Sequence, residues 1–278
     1  MEIIEVICEP EQSLETQVLC IGKFDGVHIG HQHLLKTARA YVGENDKLSV
    51  MSFSPHPIWA LTGNPKYKYS ITPLKEKIKQ LALYGVTRLY RVHFTKDYAK
   101  TDVEPFVFDH LSKLKLKRLV VGEGFNFGKT YDSGTDVLTK LCAVIGVPVT
   151  VVPILEDHGH KISSTDIRQF IALGQLDQAE NLLGRPYKIT GTYRKEDGQE
   201  LLVFSDDGSE DGDDYILPKE GIFEMRFEST DGQVFNGKGF FQSENRRRFA
   251  IQIDGFKDPQ ALIAGNKVSA TFLHRIDR

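Results

Sequence analysis

The sequence predicts an α/β unit built on a parallel sheet, followed by a smaller all-β unit, and three observations predict it. From Gln17 to Leu183 short apolar runs alternate with amphipathic stretches, the pattern of strands joined by crossover helices. Near Gly184-Arg185-Pro186-Tyr187 that rhythm gives way to short strands broken by acidic turns. With 278 residues, the chain also exceeds the usual domain of about 100–200 residues and has room for two cores.

In chain order, the strand candidates of the first half are Val18-Leu19-Cys20-Ile21, Leu48-Ser49-Val50-Met51-Ser52-Phe53, Leu89-Tyr90-Arg91-Val92, Leu119-Val120-Val121 and Val149-Thr150-Val151-Val152. The more uniformly apolar of these suit burial on both faces of a sheet. One helix is expected from near Gly30 through Leu34, Leu35 and Ala38. Another should follow Thr72-Pro73, where a capping hydroxyl precedes a proline suited to a first turn. The second half alternates in Ile222-Phe223-Glu224-Met225-Arg226-Phe227 and turns at Ser205-Asp206-Asp207-Gly208 and Asp211-Gly212-Asp213-Asp214, which predicts a small barrel or sandwich. The domains are therefore expected at 1–186 and 187–278.

The balance of 40% hydrophobic and 26% charged residues is that of a folded globular protein, and a net charge of −3 gives no general attraction for nucleic acid or anionic lipid. The one basic run, Arg246-Arg247-Arg248 beside Phe249, reads as a solvated strand edge. Cys8, Cys20 and Cys142 lack CxxC or Cys/His spacing, so they predict buried, reduced thiols and neither a disulfide framework nor structural zinc. The start Met1-Glu2-Ile3-Ile4-Glu5 has no signal-peptide character and no apolar run reaches membrane-spanning length, so a cytoplasmic protein with small-molecule partners is expected. Nothing in the sequence sets an oligomeric state.

The strongest chemical signal is Ile21-Gly22-Lys23-Phe24-Asp25-Gly26-Val27-His28-Ile29-Gly30-His31, a glycine-rich turn between an expected strand and an expected helix. Glycines let backbone approach a polyphosphate, and the helix N-terminus offers unpaired N–H groups and partial positive charge. His28 and His31, three apart, would project to one side and donate to phosphate oxygens as charge builds. Zinc is disfavoured because no third ligand has matching spacing. Two histidines at this spacing alone are as often ordinary packing residues; their position after a strand shifts the reading to nucleotide.

This segment resembles the nucleotidylyltransferase superfamily with its HxGH signature, and specifically, through GxFDGxHxGH, the FAD synthetase module of prokaryotic bifunctional riboflavin kinase/FAD synthetases. Class I aminoacyl-tRNA synthetases share a literal HxGH, but no KMSKS-like loop is present. Three later stretches are similar to the same family in the same order. Ser54-Pro55-His56-Pro57 resembles its PHP turn, at a strand end where open α/β sheets bind ligands. Val121-Gly122-Glu123-Gly124-Phe125-Asn126-Phe127-Gly128 resembles its flavin-side VGxDFxFG or VGxNFxFG segment, with Gly124 where Asp or Asn is usual and an altered 129–134 loop. Asn126 is the candidate to supply the missing polar group. Ile162-Ser163-Ser164-Thr165-Asp166-Ile167-Arg168 resembles ISSTxIR, and one of its three hydroxyls can cap the following helix while Arg168 clamps phosphate.

The resemblance implies a Rossmann-like nucleotidylyltransferase domain that transfers AMP from ATP to FMN. It gives His28, His31, Ser164 and Arg168 catalytic roles, and Gly22, Lys23, Phe24, Asp25, Gly30, Ser163 and Thr165 roles in ATP binding. It gives flavin binding to Ser54, His56, Pro57, Gly124, Phe125 and Asn126. Mg²⁺ is expected to travel on the ATP phosphates without a protein metal site. The glycine turn and the hydroxyl-rich turn are expected to close on one triphosphate. Beyond Tyr187 the likeness is to the family's riboflavin kinase barrel, as at Leu217-Pro218-Lys219-Glu220-Gly221-Ile222-Phe223, but the GxPTAN stretch that holds nucleotide and magnesium is missing. A monofunctional FAD synthetase is therefore expected; a bifunctional enzyme, transfer to another phosphorylated acceptor and a non-catalytic flavin or nucleotide sensor are the alternatives.

Overall fold

The computed structural model describes residues 1–127, 134–157, 159–204, 215–242, 248–254 and 264–276. The chain forms two compact units, 1–162 and 163–278.

The first unit is a six-stranded sheet in which every neighbouring pair is parallel, in the order β1-β4-β3-β2-β5-β6. Its strands are β1 (Glu2–Val6), β2 (Ser13–Ile21), β3 (Lys47–Ser54), β4 (Arg88–His93), β5 (Leu114–Gly122) and β6 (Val149–Val152). All five expected strands form, and β1 is added at one edge. Its anchor is non-local: the buried Arg88 guanidinium at the start of β4 pairs with Glu2, with Glu15 and with Ser13 Oγ at 3.2 Å.

Successive residues of β2 point to opposite faces. Val18 and Cys20 pack with Leu34, Leu35 and Ala38 of α1 (Ile29–Arg39) and Leu81 of α3 (Leu74–Leu83). Leu19 and Ile21 pack with Leu138 and Cys142 of α5 (Thr135–Val144) and with Phe106, Val107 and Leu111. Those last three lie on a run of helical turns that starts at α4 (Val103–Pro105), passes through a π-turn (Phe106–His110) and ends at Lys113. The sheet is thus covered on both sides, as a parallel sheet requires. A short helix, α2 (Pro57–Thr62), follows β3, and a two-stranded ribbon, β7 (Glu156–Asp157) with β8 (His160–Lys161), follows β6. Burial of Cys20 and Cys142 agrees with expectation, but Cys8 is exposed, because it sits in the connection between β1 and β2.

From β2 the chain winds one way to β3 and β4 and then crosses to β5 and β6 on the other side. The C-terminal ends of β2 and β5 therefore flank the switch point where open sheets of this kind bind ligands.

The second unit begins with α6 (Ser164–Leu173) and α7 (Leu176–Leu183), continued by a closed antiparallel barrel, β10-β13-β12-β11-β14-β9. Its strands are β9 (Lys188–Glu196), β10 (Gln199–Val203), β11 (Gly221–Ser229), β12 (Val234–Phe241), β13 (Arg248–Ile253) and β14 (Lys267–Arg275). Helix α6 packs on α7 and α7 packs on β14, so both helices belong to the compact unit that starts at Ser163. The interior is filled with aromatic rings: Phe223 stands edge-on to Phe241 and Phe272 at 5.5 and 5.4 Å, and Phe241 stacks on Phe249 at 4.1 Å. A six-stranded barrel has just such a side-chain-filled core. The acidic turns at 205–208 and 211–214, and Arg246-Arg247, lie outside the described residues. Arg248 opens β13 and pairs with Glu196 at 3.0 Å, as a strand edge should.

Candidate active site

The turn after β2 is held from below by its neighbours. Gly22 N–H donates to Met51 O at 3.1 Å and Ser52 Oγ donates to Lys23 O at 2.8 Å, tying the loop to β3. The Asp25 carboxylate accepts the N–H groups of Ile71 (2.9 Å) and Thr72 (3.4 Å), while Gly26 N–H donates to Thr72 Oγ1 at 2.9 Å. The Thr72 hydroxyl expected to cap α3 is used here instead, and α3 starts after Pro73 with no side-chain cap. Three residues take the left-handed region: Phe24 (φ 49°), Gly26 (φ 85°) and Val27 (φ 41°). For a non-glycine residue this costs on the order of 1–3 kcal/mol and persists only where surroundings impose it. Complete burial of Phe24 and Val27 and the Asp25–Thr72 latch supply that constraint. Phe24 and Asp25 therefore shape the loop from inside.

His28 ends the turn as the N-cap of α1, and its imidazole stacks on that of His31 with centroids 3.8 Å apart. The Phe24 ring centroid lies 4.9 Å from that of His31. Gly30 gives the His28 ring room, since a Cβ there would stand a tight 3.2 Å from its Cε1 and Nδ1. Burial, followed by the charges of His28, Lys77 and Lys23, holds His31 well below the usual histidine range. His31 Nδ1 makes no hydrogen bond among the described residues. No acidic side chain occupies the first turn of α1, so none there offsets its positive end. Two imidazoles, two ammonium groups and a helix N-terminus converge, and the complement of such a group is a polyanion. An anion bound there would favour the protonated form of His31 that burial disfavours.

Lys77 was not among the residues read from sequence. It arrives from α3, where Lys77 Nζ donates to Lys23 O at 3.3 Å. The signal that could have found it is its place one turn into a helix that Asp25 and Thr72 fasten to the loop, which a linear motif does not display.

The remaining first-unit candidates lie at the same C-terminal edge. Ser54 closes β3, where its hydroxyl accepts from Arg91 at 3.4 Å; His56 caps α2, with Nδ1 accepting Ile58 N–H at 3.2 Å and its ring stacked 4.7 Å from Tyr67; and Pro57 is buried at the first position of α2. After β5, Phe125 stacks on Phe127 at 5.7 Å, while Gly124 and Asn126 are exposed. A Cβ at Gly124 would meet Lys161 Nζ at 2.8 Å, so the ammonium group of β8 stands in the space left by the absent side chain. The strands carrying these loops, β3, β2 and β5, are adjacent in the sheet. Gly128 and residues 129–133 of the altered loop lie outside the described residues.

Ser163, Ser164, Thr165 and Arg168 belong to the second unit. Of the three hydroxyls it is Ser163 that caps α6, accepting Asp166 N–H at 3.3 Å and donating to Asp166 Oδ2 at 2.7 Å. The Ser163 hydroxyl thus both accepts from the backbone and donates to the side chain of the third helical residue, which makes it the N-cap, with Ser164 and Thr165 in the first turn. Arg168 is 5% exposed, in contrast to the exposed arginine of an ordinary helix surface.

A parallel sheet whose switch point carries a strained, histidine-bearing turn at a helix N-terminus defines a nucleotidyltransferase of the α/β class. Comparisons with known proteins specify it. The FAD synthetase family model matches residues 10–166. A FAD synthetase of Listeria monocytogenes is 45% identical over 236 residues, covering 85% of this chain and 89% of its own. The bifunctional riboflavin kinase/FMN adenylyltransferase of Bacillus subtilis is 34% identical over 224 residues, covering 79% and 70%. Among solved structures, one described as a macrolide-efflux protein from Streptococcus pneumoniae shares the fold of the whole chain, with TM-score 0.84, 27% identity and coverage of 99% of this chain and 91% of that one. In the present chain no described helix is long and apolar enough to cross a membrane. The chain belongs to the FAD synthetase family.

Proposed function

We propose that this protein makes FAD: a phosphate oxygen of FMN attacks the α-phosphorus of ATP, the bond from that phosphorus to the α,β-bridging oxygen breaks, and pyrophosphate leaves. No covalent enzyme intermediate is required. The observation that carries the reading is the stacked His28–His31 pair, flanked by Lys23 and Lys77, at the N-terminus of α1 on the sheet's switch point. The two histidines stabilise charge on the ATP phosphates as the transition state forms, and Lys23 and Gly22 shape the approach. The hydroxyls of Ser164 and Thr165 with the Arg168 guanidinium form the second set of phosphate-handling groups, positioned by the Ser163 cap. Mg²⁺ enters as the MgATP substrate, which suits a loop whose facing groups are imidazole and ammonium and whose Asp25 is engaged by backbone N–H groups.

FMN is taken at the edge formed by Ser54, His56 and Pro57 with Gly124, Phe125 and Asn126. Asn126 provides the polar contact that Gly124 lacks. The catalytic module runs over 1–186, which accommodates the hydroxyl-rich turn and the family match to residue 166. The remainder, from 187, is a kinase-like barrel without kinase chemistry, because no Pro-Thr-Ala-Asn occurs in the sequence and phenylalanine rings fill the interior. Free thiols at all three cysteines suit a reducing, cytoplasmic setting. The test is to incubate purified protein with ATP, Mg²⁺ and either FMN or riboflavin and separate the flavins by chromatography. FAD should form from FMN and no FMN from riboflavin; phosphorylation of riboflavin would make the enzyme bifunctional, and failure to adenylylate FMN would remove the proposal.

A further inference from the structure

The barrel poses a question that the lost kinase motif sharpens: what keeps its structure? The C-terminus of α6 supplies an answer. A helix ends with four carbonyls that have no partner inside it, and each must be satisfied elsewhere. In α6 these are Phe170, Ile171, Ala172 and Leu173. Gly174, left-handed at φ 71°, closes a Schellman turn that takes the first two: Gln175 N–H donates to Phe170 O at 2.8 Å and Gly174 N–H to Ile171 O at 3.0 Å. The outer two are taken by the barrel. Lys219 N–H donates to Ala172 O at 3.1 Å, and the Arg275 guanidinium, at the end of β14, donates to Leu173 O at 3.4 Å.

The fit around this junction is close. The guanidinium lies over the Phe223 ring at 5.8 Å. A Cβ at Gly174 would stand 3.0 Å from Phe223 Cζ and 3.2 Å from Arg275 Nη1, and one at Gly221 would stand 3.0 Å from the same ring and 3.2 Å from the same guanidinium. A cation at a helix C-terminus also complements the helix dipole. The retained segment 217–223, which no catalytic role uses, is the strand entry that presents both Lys219 N–H and Phe223 to α6.

We infer that the barrel, without kinase chemistry of its own, serves as the C-terminal cap of α6, and that Arg275 is a positioning residue for the hydroxyl-rich turn and Arg168 at the other end of that helix. Fixing the last turn of a ten-residue helix restricts fraying and rotation that would displace the guanidinium of Arg168, and small displacements of a catalytic group are costly. The inference rests on the reading of Ser164, Thr165 and Arg168 as phosphate-handling groups.

The test uses the full chain with Arg275→Met, which keeps an apolar stem over Phe223, and Arg275→Lys, which keeps a cationic donor. Steady-state FAD formation is measured with ATP and with FMN varied, alongside amide hydrogen exchange of residues 164–173. Arg275→Met should lower kcat/KM for ATP about tenfold, leave KM for FMN within about twofold and speed exchange in α6, and Arg275→Lys should recover most of the loss. Unchanged ATP kinetics in Arg275→Met would overturn the inference. So would a loss shared equally between ATP and FMN that Arg275→Lys does not recover, since that pattern marks general damage. Should Arg275→Met fail to fold, Arg275→Lys with α6 exchange and ATP kinetics both as in the unaltered chain supports the anchor, and faster exchange with unaltered kinetics opposes it. Arg168→Lys is run in parallel: if it alone proves inert, the phosphate reading of α6 falls, while the exchange measurement still decides whether the barrel caps the helix.

Discussion

The sheet unit and the barrel unit use glycine for different purposes. At the end of β2, Gly26 supplies a left-handed turn and Gly30 clears space for an imidazole; both shape the turn proposed to hold the nucleotide. In the barrel, Gly191, Gly237 and Gly239 lie inside strands, and each gives room to a neighbour. A methyl at 191 would stand 2.7 Å from Leu202 Cγ, one at 239 would stand 2.5 Å from Met225 Sδ, and one at 237 would run into the backbone at Gln252. The difference shows that the barrel is held together without reference to a ligand. What closes the barrel is strand glycine and packed phenylalanine, and none of it depends on a nucleotide-binding motif. In the first unit the strained turn and the cationic cluster are the features on which the proposed polyanion site rests.

Four measurements would break or sharpen this contrast. The largest effect is expected at His31→Ala, which should slow FAD formation by about a hundredfold or more while the unfolding transition keeps its cooperativity; near-normal turnover would contradict the assignment. Next comes Gly237→Ala, where the added methyl meets backbone and cannot be relieved by a rotamer change. It should destabilise the barrel by about 3 kcal/mol in denaturant titration, and a loss under about 1 kcal/mol would show that closure tolerates bulk at this point. Smaller again is Thr72→Val, which removes the hydroxyl that accepts Gly26 N–H; about 1–2 kcal/mol of stability should be lost, with slower turnover as the latch loosens.

The smallest effect concerns pH. Folding holds His31 below its ordinary value of 6.5, chiefly through burial and then through His28, Lys77 and Lys23. Below pH 6.5 the unfolded chain therefore takes up a proton that the folded chain refuses. The contribution is fully favourable above that value and is lost as pH falls beneath it. Denaturant midpoints measured from pH 7.5 to 5 should fall less steeply for His31→Ala than for the unaltered chain, and parallel curves would show that His31 does not titrate in this way.

Much of this was legible in sequence because the signals were local. Uniform apolar runs such as Leu119-Val120-Val121 had to be buried strands, and a glycine turn between a strand and a helix had to sit at a sheet's ligand-binding edge. The edge strand Glu2–Val6 was not legible, since it depends on Arg88 more than eighty positions away. Nor were the helical turns from Val103 to Lys113, whose aromatic Phe106-Val107-Phe108 has no clean helical period. In the site, His28 and His31 were read from their motif, whereas Ser52 and Lys77 enter through contacts with Lys23 that only the folded chain makes. The choice of Ser163 as cap was available from its spacing to Asp166 and needed no coordinates. Thr72 misled because a hydroxyl before a proline has two outlets, and the distant one prevailed.

The closeness of the two imidazoles has one more outcome. Burial first, and then the charge of the neighbouring imidazole whose ring lies 3.8 Å away, holds His31 below the usual histidine range, and a polyanion placed beside it would act in the opposite sense. On the proposed reading, capturing the nucleotide and drawing an ion from the medium form a single thermodynamic event: the grip on ATP should tighten in mildly acid surroundings, and the heat released should depend on which buffer gives the ion up.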